Sequence, residues 1–246
     1  MGADVFHFKN FSMTQAPSGQ RVNTDSCVFG AVIGRNETPK RILDIGTGTG
    51  VLALMLAARF PLAKIVAVEP ERDIIEVARR NVDASPWADR IELVELRAQD
   101  LYSAHLGRFD MVLCNPPYFQ NSLLSENRLR MVARHNTDLQ PVELYLAMKE
   151  MMAPQASAWL SFPEDSYALW IDCAQSQSLT LTHEITVADH PEAKPHMTIA
   201  GLSMNQSGLV DRSHIFYRDA HKGPSSSWMR GFREEWYPEK YNRNFY

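Results

Sequence analysis

The stretch Asp44-Ile45-Gly46-Thr47-Gly48-Thr49-Gly50 decides how this 246-residue chain reads. It stands between a short apolar run, Arg41–Ile45 (RILDI), and a helical one over 51–60. Glycines at a strand-to-helix turn let the backbone approach a ligand and bring the helix N-terminus towards it. A dinucleotide fingerprint would put its third glycine at position 51, which is Val51. A phosphate-binding P-loop would need Gly-Lys-Ser/Thr, and none follows. Outward from the turn the pattern alternates strand and helix. Residues 65–69 (IVAVE), 91–95 and 109–114 read as further strands, and 71–83 sets Ile74, Ile75, Val77 and Ala78 on one helix face. Pro141 suits the first turn of a helix through 152, with Glu143 beside it. A strand at 158–162, a helix near 165–177, and two β-rich stretches at 179–187 and 197–203 follow, the last two as a closing hairpin. Such alternation predicts a mostly parallel sheet covered on both faces.

The turn has an acid two residues before its first glycine, giving DxGxGxG. Nineteen residues after Gly50, Glu69 ends the second strand, where a carboxylate can accept both hydroxyls of a ribose. Asp100 follows the third strand, where it can receive an adenine amino group. Three glycines with acids at three successive strand ends resemble the nucleotide loop of class I S-adenosylmethionine methyltransferases. The resemblance implies an α/β, Rossmann-like class I methyltransferase fold, a seven-stranded mostly parallel sheet with an antiparallel closing hairpin. It also implies S-adenosyl-L-methionine as cofactor and S-adenosyl-L-homocysteine as product.

Asn115-Pro116-Pro117-Tyr118 lies at the C-terminal end of the fourth strand, the edge where open α/β sheets bind ligands. The prolines end the strand and stiffen the turn. A plain proline turn with an Asx cap explains them, but not the Asn and the aromatic that flank them. NPPY resembles the motif of methyltransferases that modify planar amine nitrogens, either adenine N6 or a glutamine amide. Such a nitrogen is a poor nucleophile because its lone pair is conjugated. If the Asn115 side-chain oxygen and the Pro116 carbonyl each accept one N–H, the nitrogen can pyramidalise and aim its lone pair at the methyl group. The same acceptors stabilise the positive charge that develops on nitrogen. Tyr118 can stack on a base that has left its own stack, worth about 1–3 kcal/mol. Holding donor and acceptor in line supplies most of the remainder. No metal is expected, since the eight histidines form no metal-ligand spacing.

Further segments, in order, carry a more specific likeness. Phe8-Lys9-Asn10-Phe11, Val22-Asn23-Thr24-Asp25, Ser85-Pro86-Trp87-Ala88-Asp89-Arg90-Ile91, Ala133-Arg134-His135 and Pro195-His196 resemble the YfiC-like family of tRNA adenine-N6 methyltransferases. The likeness spans 8–203, and the ending with Ile215 and Trp236-Tyr237 is loosely similar. It implies methylation at N6 of the adenosine at position 37, beside the anticodon, in valine tRNA. By the family's pattern Asp44, Gly46, Gly48, Gly50, Glu69 and Asp100 hold the cofactor, joined by Asn115. Thr24 and Asp25 would close over its methionine end, and Asn115, Pro116, Pro117 and Tyr118 would hold the adenine. Thr24 and Asp25 also have a plain alternative, capping a helix over 27–33. The chain departs from the family at Asn23, where glycine is more usual, and in a longer, more basic tail. The expected organisation is one methyltransferase domain over 1–246, with an arm (1–40), a core (41–205) and a tail (206–246).

Net charge is −4, from 25 Lys+Arg against 29 Asp+Glu, which argues against a surface that grips nucleic acid everywhere. The balance is uneven, because 212–246 carries seven Lys/Arg against four acids. Arg128, Arg130 and Arg134 directly follow the NPPY turn. These three, with Arg230 and Arg233 of the tail, are expected phosphate contacts. A composition of 45% hydrophobic residues excludes collagen-like and disordered chains. No apolar run approaches the roughly 18–20 residues of a membrane span. Cys27, Cys114 and Cys173 form no CxxC pair, and with no secretory leader apparent a reduced cytoplasmic setting is expected.

Rival readings stay open. A glutamine methyltransferase acting on a release factor also uses NPPY, although that group carries a helical domain where only 43 residues precede Asp44 here. A ribosomal RNA adenine or guanine N-methyltransferase is the main alternative. DNA adenine methyltransferases usually need a separate target-recognition domain. A non-catalytic RNA-binding protein has no use for paired amine acceptors, and a small-molecule methyltransferase none for a basic tail.

Overall fold

The computed structural model describes residues 5–15, 22–116, 139–205 and 208–238. Two short strands, β1 (Val5–His7) and β2 (Ser12–Thr14), pair antiparallel with Phe6 opposite Met13. Then come α1 (Thr24–Val32), β3 (Arg41–Ile45), α2 (Val51–Arg59), β4 (Lys64–Glu69), α3 (Arg72–Asp83), β5 (Ile91–Glu95) and β6 (Phe109–Cys114). They are followed by α4 (Pro141–Met151), β7 (Met152–Pro163), α5 (Glu164–Ser176), β8 (Thr180–Ala188), β9 (Met197–Ser203), β10 (Asp211–Phe216) and α6 (Ser227–Trp236).

Eight strands form the main sheet, in the order β10-β8-β9-β7-β6-β3-β4-β5. From β7 to β5 every pairing is parallel. β9 runs antiparallel to both β7 and β8, which is the expected closing hairpin. The sheet has one strand more than expected. β10 comes from the predicted tail and lies parallel to β8. Its sequence, DRSHIF, buries only Ile215, so it carries no apolar alternation to betray a strand.

Central strands read as continuous apolar runs because helices cover both faces. One face packs β-strand side chains such as Ile42, Met111, Leu113 and Trp159 against α1, α2, the N-terminal arm and α6. The other packs Leu43, Val112, Leu160 and Phe162 against α4 and α5. α3 is amphipathic, burying Ile75, Val77, Ala78 and Val82 while its arginines face out. At α4, Pro141 occupies the first turn and Gln140 with Glu143 forms a capping box, as the position of that acid suggested. Arg90 shows what its motif does. Its guanidinium donates to the carbonyls of Ala57 (2.7 Å), Ala63 (2.8 Å) and Phe60 (3.1 Å), satisfying the C-terminal end of α2 and the turn that leads into β4. Trp87 meets Phe11 of the arm edge-on, a packing role.

The C-terminal segment is built into the body. Met229, Phe232 and Trp236 of α6 are buried in the first core cluster. Lys9 N donates to Trp236 O at 2.6 Å, and Tyr237 lies 5.9 Å, ring to ring, from both Phe6 and Phe8. Among the described residues, no helix is long and apolar enough to cross a membrane.

Candidate active site

The register of β3 and β6 sets Ile45 opposite Cys114, so the glycine turn and Asn115 emerge side by side at the carboxyl edge of the sheet. The turn is held from below, where Gly46 N and Thr47 N both donate to Val68 O, at 2.9 and 3.0 Å. Gly46 and Gly48 sit at φ +72° and +58°, in the left-handed region, and a Cβ on either would meet nothing within 4 Å. That is an open cradle with bare backbone. Gly50 differs. At φ +91° it is the N-cap of α2 and its missing Cβ would lie 3.6 Å from Ala78, so its lack of a side chain also lets α2 pack close to α3.

Two carboxyls flank the cradle. Asp44 is fully buried, accepts from Thr47 Oγ1 at 2.6 Å, and keeps its other oxygen, Oδ1, buried without a hydrogen bond. Burial lifts its pKa to about 7, against the opposing pull of the Thr47 hydroxyl and the Ala53 backbone N–H. Glu69 is also buried and raised by burial. It accepts from Gly48 N (3.0 Å) and Glu71 N (3.1 Å), tying the glycine turn to the end of β4. Asp100 lies on the 3-10 turn Ala98–Ala104 after β5, clasped by Arg97 through Nε at 2.8 Å and Nη2 at 3.3 Å. The Arg97 guanidinium holds its carboxyl below the ordinary value.

The arm meets the closing strands at α1. Its N-cap is Asn23, whose side chain accepts from Ser26 N at 2.8 Å, so Asn23, not Thr24 or Asp25, performs the capping. Thr24 is exposed on the first turn. Asp25 accepts from Tyr217 OH at 2.6 Å and lies 3.2 Å from His196 Nε2. Burial works to raise its pKa, but the bonds from His196 and Tyr217 outweigh it and hold the group below the ordinary carboxylate value. The Asp25 and Pro195-His196 segments, far apart in the chain, therefore converge on one contact.

Asn115 is gripped at both ends of its amide. Nδ2 donates to Ser26 Oγ at 3.1 Å, and Oδ1 accepts from Ser161 Oγ at 2.6 Å. Neither serine stood out in the sequence. The one available signal was a hydroxyl at 161 inside the apolar run AWLSF. Pro116 is buried beside it. Cys114 is a buried thiol whose pKa burial pushes far up, so it presents no thiolate. Pro117, Tyr118, Arg128, Arg130 and Arg134 lie outside the described residues.

The tail arginines have partners within the chain. Arg230 donates to Ser225 O and lies 3.7 Å from Asp219 Oδ2, and Arg233 Nη1 donates to Ser225 Oγ at 2.8 Å. Arg212 pairs with Glu184 at 3.2 Å and Arg218 with Asp189 at 3.3 Å. Among the described residues, no group of three or more His, Cys, Asp or Glu could hold a metal ion.

Comparison with known proteins places this arrangement. Residues 17–152 match the family model of the methyltransferase small domain. A tRNA1(Val) (adenine(37)-N6)-methyltransferase of Porphyromonas gingivalis is 38% identical over 174 residues, 67% of each chain. Its namesake in Vibrio parahaemolyticus is 34% identical over 219 residues, covering 87% of this chain and 90% of that one. Among solved structures, a "predicted O-methyltransferase" from Agrobacterium tumefaciens superposes with TM-score 0.66 at 17% identity, over 85% of this chain and 95% of its own. A glycopeptide N-methyltransferase complexed with S-adenosyl-L-methionine gives 0.55 at 13% identity, over 78% and 97%. At these identities the structural likeness speaks for the fold, a class I Rossmann-like methyltransferase.

Proposed function

This chain belongs to the family of tRNA1(Val) (adenine(37)-N6)-methyltransferases, and on that premise we propose that it methylates N6 of adenosine 37 in valine tRNA, with S-adenosylmethionine as donor. The tRNA substrate class and the reaction rest on relatives that cover most of the chain. The observation that carries the chemistry is Asn115, standing at the end of β6 next to the glycine turn.

The residues present fit the cofactor. Gly46 and Gly48 leave a cradle open to a ligand, and the unpaired buried Oδ1 of Asp44 offers an acceptor beside it. In this reading Asp44, Gly46, Gly48, Glu69 and Asp100 hold the cofactor. Both oxygens of Glu69 already take a backbone N–H, and each has a second lone pair for a ribose hydroxyl. When bound, the cofactor supplies an electrophilic methyl on a sulfonium. Asn115 Oδ1, which also takes the Ser161 hydroxyl, accepts one N–H of the adenine amine, and the Pro116 carbonyl accepts the other. The two acceptors draw the nitrogen lone pair out of conjugation and stabilise the charge it acquires. Tyr118 supplies the stacking face for the flipped base. Arg128, Arg130 and Arg134 contact phosphates beside the target.

The test compares wild type and Asn115→Ala on a valine tRNA transcript, with nucleoside mass spectrometry as readout. Wild type yields N6-methyladenosine at position 37. Asn115→Ala should lose about a hundredfold or more in kcat, the scale of removing one preorganised polar group, and still bind cofactor. Wild-type turnover in the variant sinks the amine-acceptor mechanism. Label that persists after adenosine 37 is changed to guanosine, or that enters a protein fraction, sinks the substrate.

A further inference from the structure

Ser161 is wholly buried in β7 between Leu160 and Phe162, a place where alanine would pack as well and carry no polar group to satisfy. A buried hydroxyl is costly unless it is bonded. The pairing of Cys114 with Leu160 sets Ser161 next to Asn115, and the burial of Leu113 and Trp159 in one cluster puts both on the sheet face that α1 covers. From α1, Ser26, also buried, completes the grip.

An amide has two ends of similar shape and opposite hydrogen-bonding sense. Turned end for end, Asn115 would present N–H donors to an amine that is itself a donor. We propose that Ser161 and Ser26 are positioning residues that fix the orientation of the Asn115 amide, keeping its oxygen on the side where the target amine arrives. Ser161 donates to the oxygen at 2.6 Å while Ser26 accepts from the nitrogen at 3.1 Å, so a turned amide would require both hydroxyls to exchange donor and acceptor roles. This rests on the role of Asn115 in the function proposed above. Both serines act on the chemistry through Asn115.

Ser161→Ala, Ser161→Thr and Asn115→Ala are assayed with a valine tRNA transcript, separating kcat from KM and measuring cofactor Kd alongside. Ser161→Ala should lower kcat about tenfold, the worth of one hydrogen bond, with KM and cofactor Kd within about twofold of wild type. Ser161→Thr keeps the hydroxyl and should recover most of that kcat. A second cycle uses Asn115→Asp, whose two oxygens are both acceptors and have no wrong orientation. In that background the Ser161→Ala loss should shrink to about twofold or less. Wild-type kcat in Ser161→Ala, or a Thr variant as impaired as the Ala variant, overturns the proposal. So does an equal loss in the Asn115 and Asn115→Asp backgrounds. If Asn115→Ala itself retains turnover, the functional reading has failed first, and that outcome is distinguishable from a failure at Ser161 alone.

Discussion

Asp44→Asn tests how burial sets the electrostatics of the cofactor cradle. The carboxyl is fully buried, and burial lifts its pKa from the ordinary 3.8 to about 7. An acid whose pKa rises on folding holds its proton more tightly in the folded state than in the unfolded one. Stability therefore falls as pH climbs from about 4 to about 7 and levels off beyond. A pKa unit is worth about 1.4 kcal/mol, so the ionised carboxylate costs the folded enzyme on the order of 4 kcal/mol above neutrality. Near pH 5 the cost is less than half of that. Asparagine cannot titrate. Its amide lands where Oδ1 has no hydrogen-bond partner, which adds a penalty that does not depend on pH. The pH-dependent part survives that penalty. Relative to wild type, the variant should gain about 3 kcal/mol between about pH 5 and pH 8. Urea unfolding of both proteins at the two pH values measures this difference, and shared titrating groups cancel. A ΔΔG that stays constant with pH would mean that Asp44 ionises as it does in water, and the reasoning from burial would fail. Cofactor affinity should move the other way, because the wild-type carboxylate can recover its cost against a cationic ligand. A variant whose stability relative to wild type rises with pH and that binds the cofactor less well is the expected pair of results.

Three further outcomes follow from contacts elsewhere. Asn81 of α3 accepts from Thr14 N at 2.7 Å and donates to Thr14 O and Thr49 O at 2.9 Å, so Asn81→Ala should cost about 3 kcal/mol and speed amide exchange in β2. Retained protection at Thr14 would show that the arm does not depend on it. Phe232→Ala empties a buried site in α6 and should lower stability by about 3 kcal/mol, seen in denaturant unfolding, whereas a dispensable tail would leave the midpoint unmoved. Reversing Arg230 and Arg233 to Glu should raise the tRNA Kd and flatten its salt dependence by about one to two in slope if they contact phosphates, and an unchanged slope removes them from the RNA face.

The central part of the fold was legible because it is periodic. The strands β5, β6 and β9 fall where the apolar runs put them, and α2 and α3 begin or end within a residue of the expected bounds. A buried parallel strand and the turn after it leave a local record in composition. β10 left none, because four of its six residues are exposed and its stability comes from pairing along β8. The plain alternative for Thr24 and Asp25, capping a helix over 27–33, misses because α1 already starts at Thr24; Asn, Thr and Asp in succession are all good caps, and only geometry chooses Asn23. Contacts between distant segments were invisible for a different reason. Asp25 with His196 and Tyr217, and Asn115 with Ser26 and Ser161, join residues that no spacing rule relates. The same blindness affects charge. A count of lysines and arginines over the tail cannot show that Arg212 and Arg218 face Glu184 and Asp189 on and just beyond β8.

These long-range contacts divide the labour between the sheet and its additions. The glycine turn, Asp44 and Glu69 are tied together at the ends of the central strands, and the fold that carries them superposes over most of the chain on methyltransferases of quite different description at 17% identity or less. What surrounds Asn115 is contributed from outside those strands' local sequence. Ser26 comes with α1, and α1 is held by Asp25 to the start of β9 and to Tyr217 just past β10. The C-terminal segment then closes on the arm through Trp236 and Tyr237. Arm and tail thus act as one belt on the sheet face that α1 covers, and loosening either end would reach the amide of Asn115 through α1. Damage to the belt should accordingly appear in kcat through the orientation of Asn115, and it has a second route to the glycine turn through Asn81, which bridges Thr14 of the arm and Thr49.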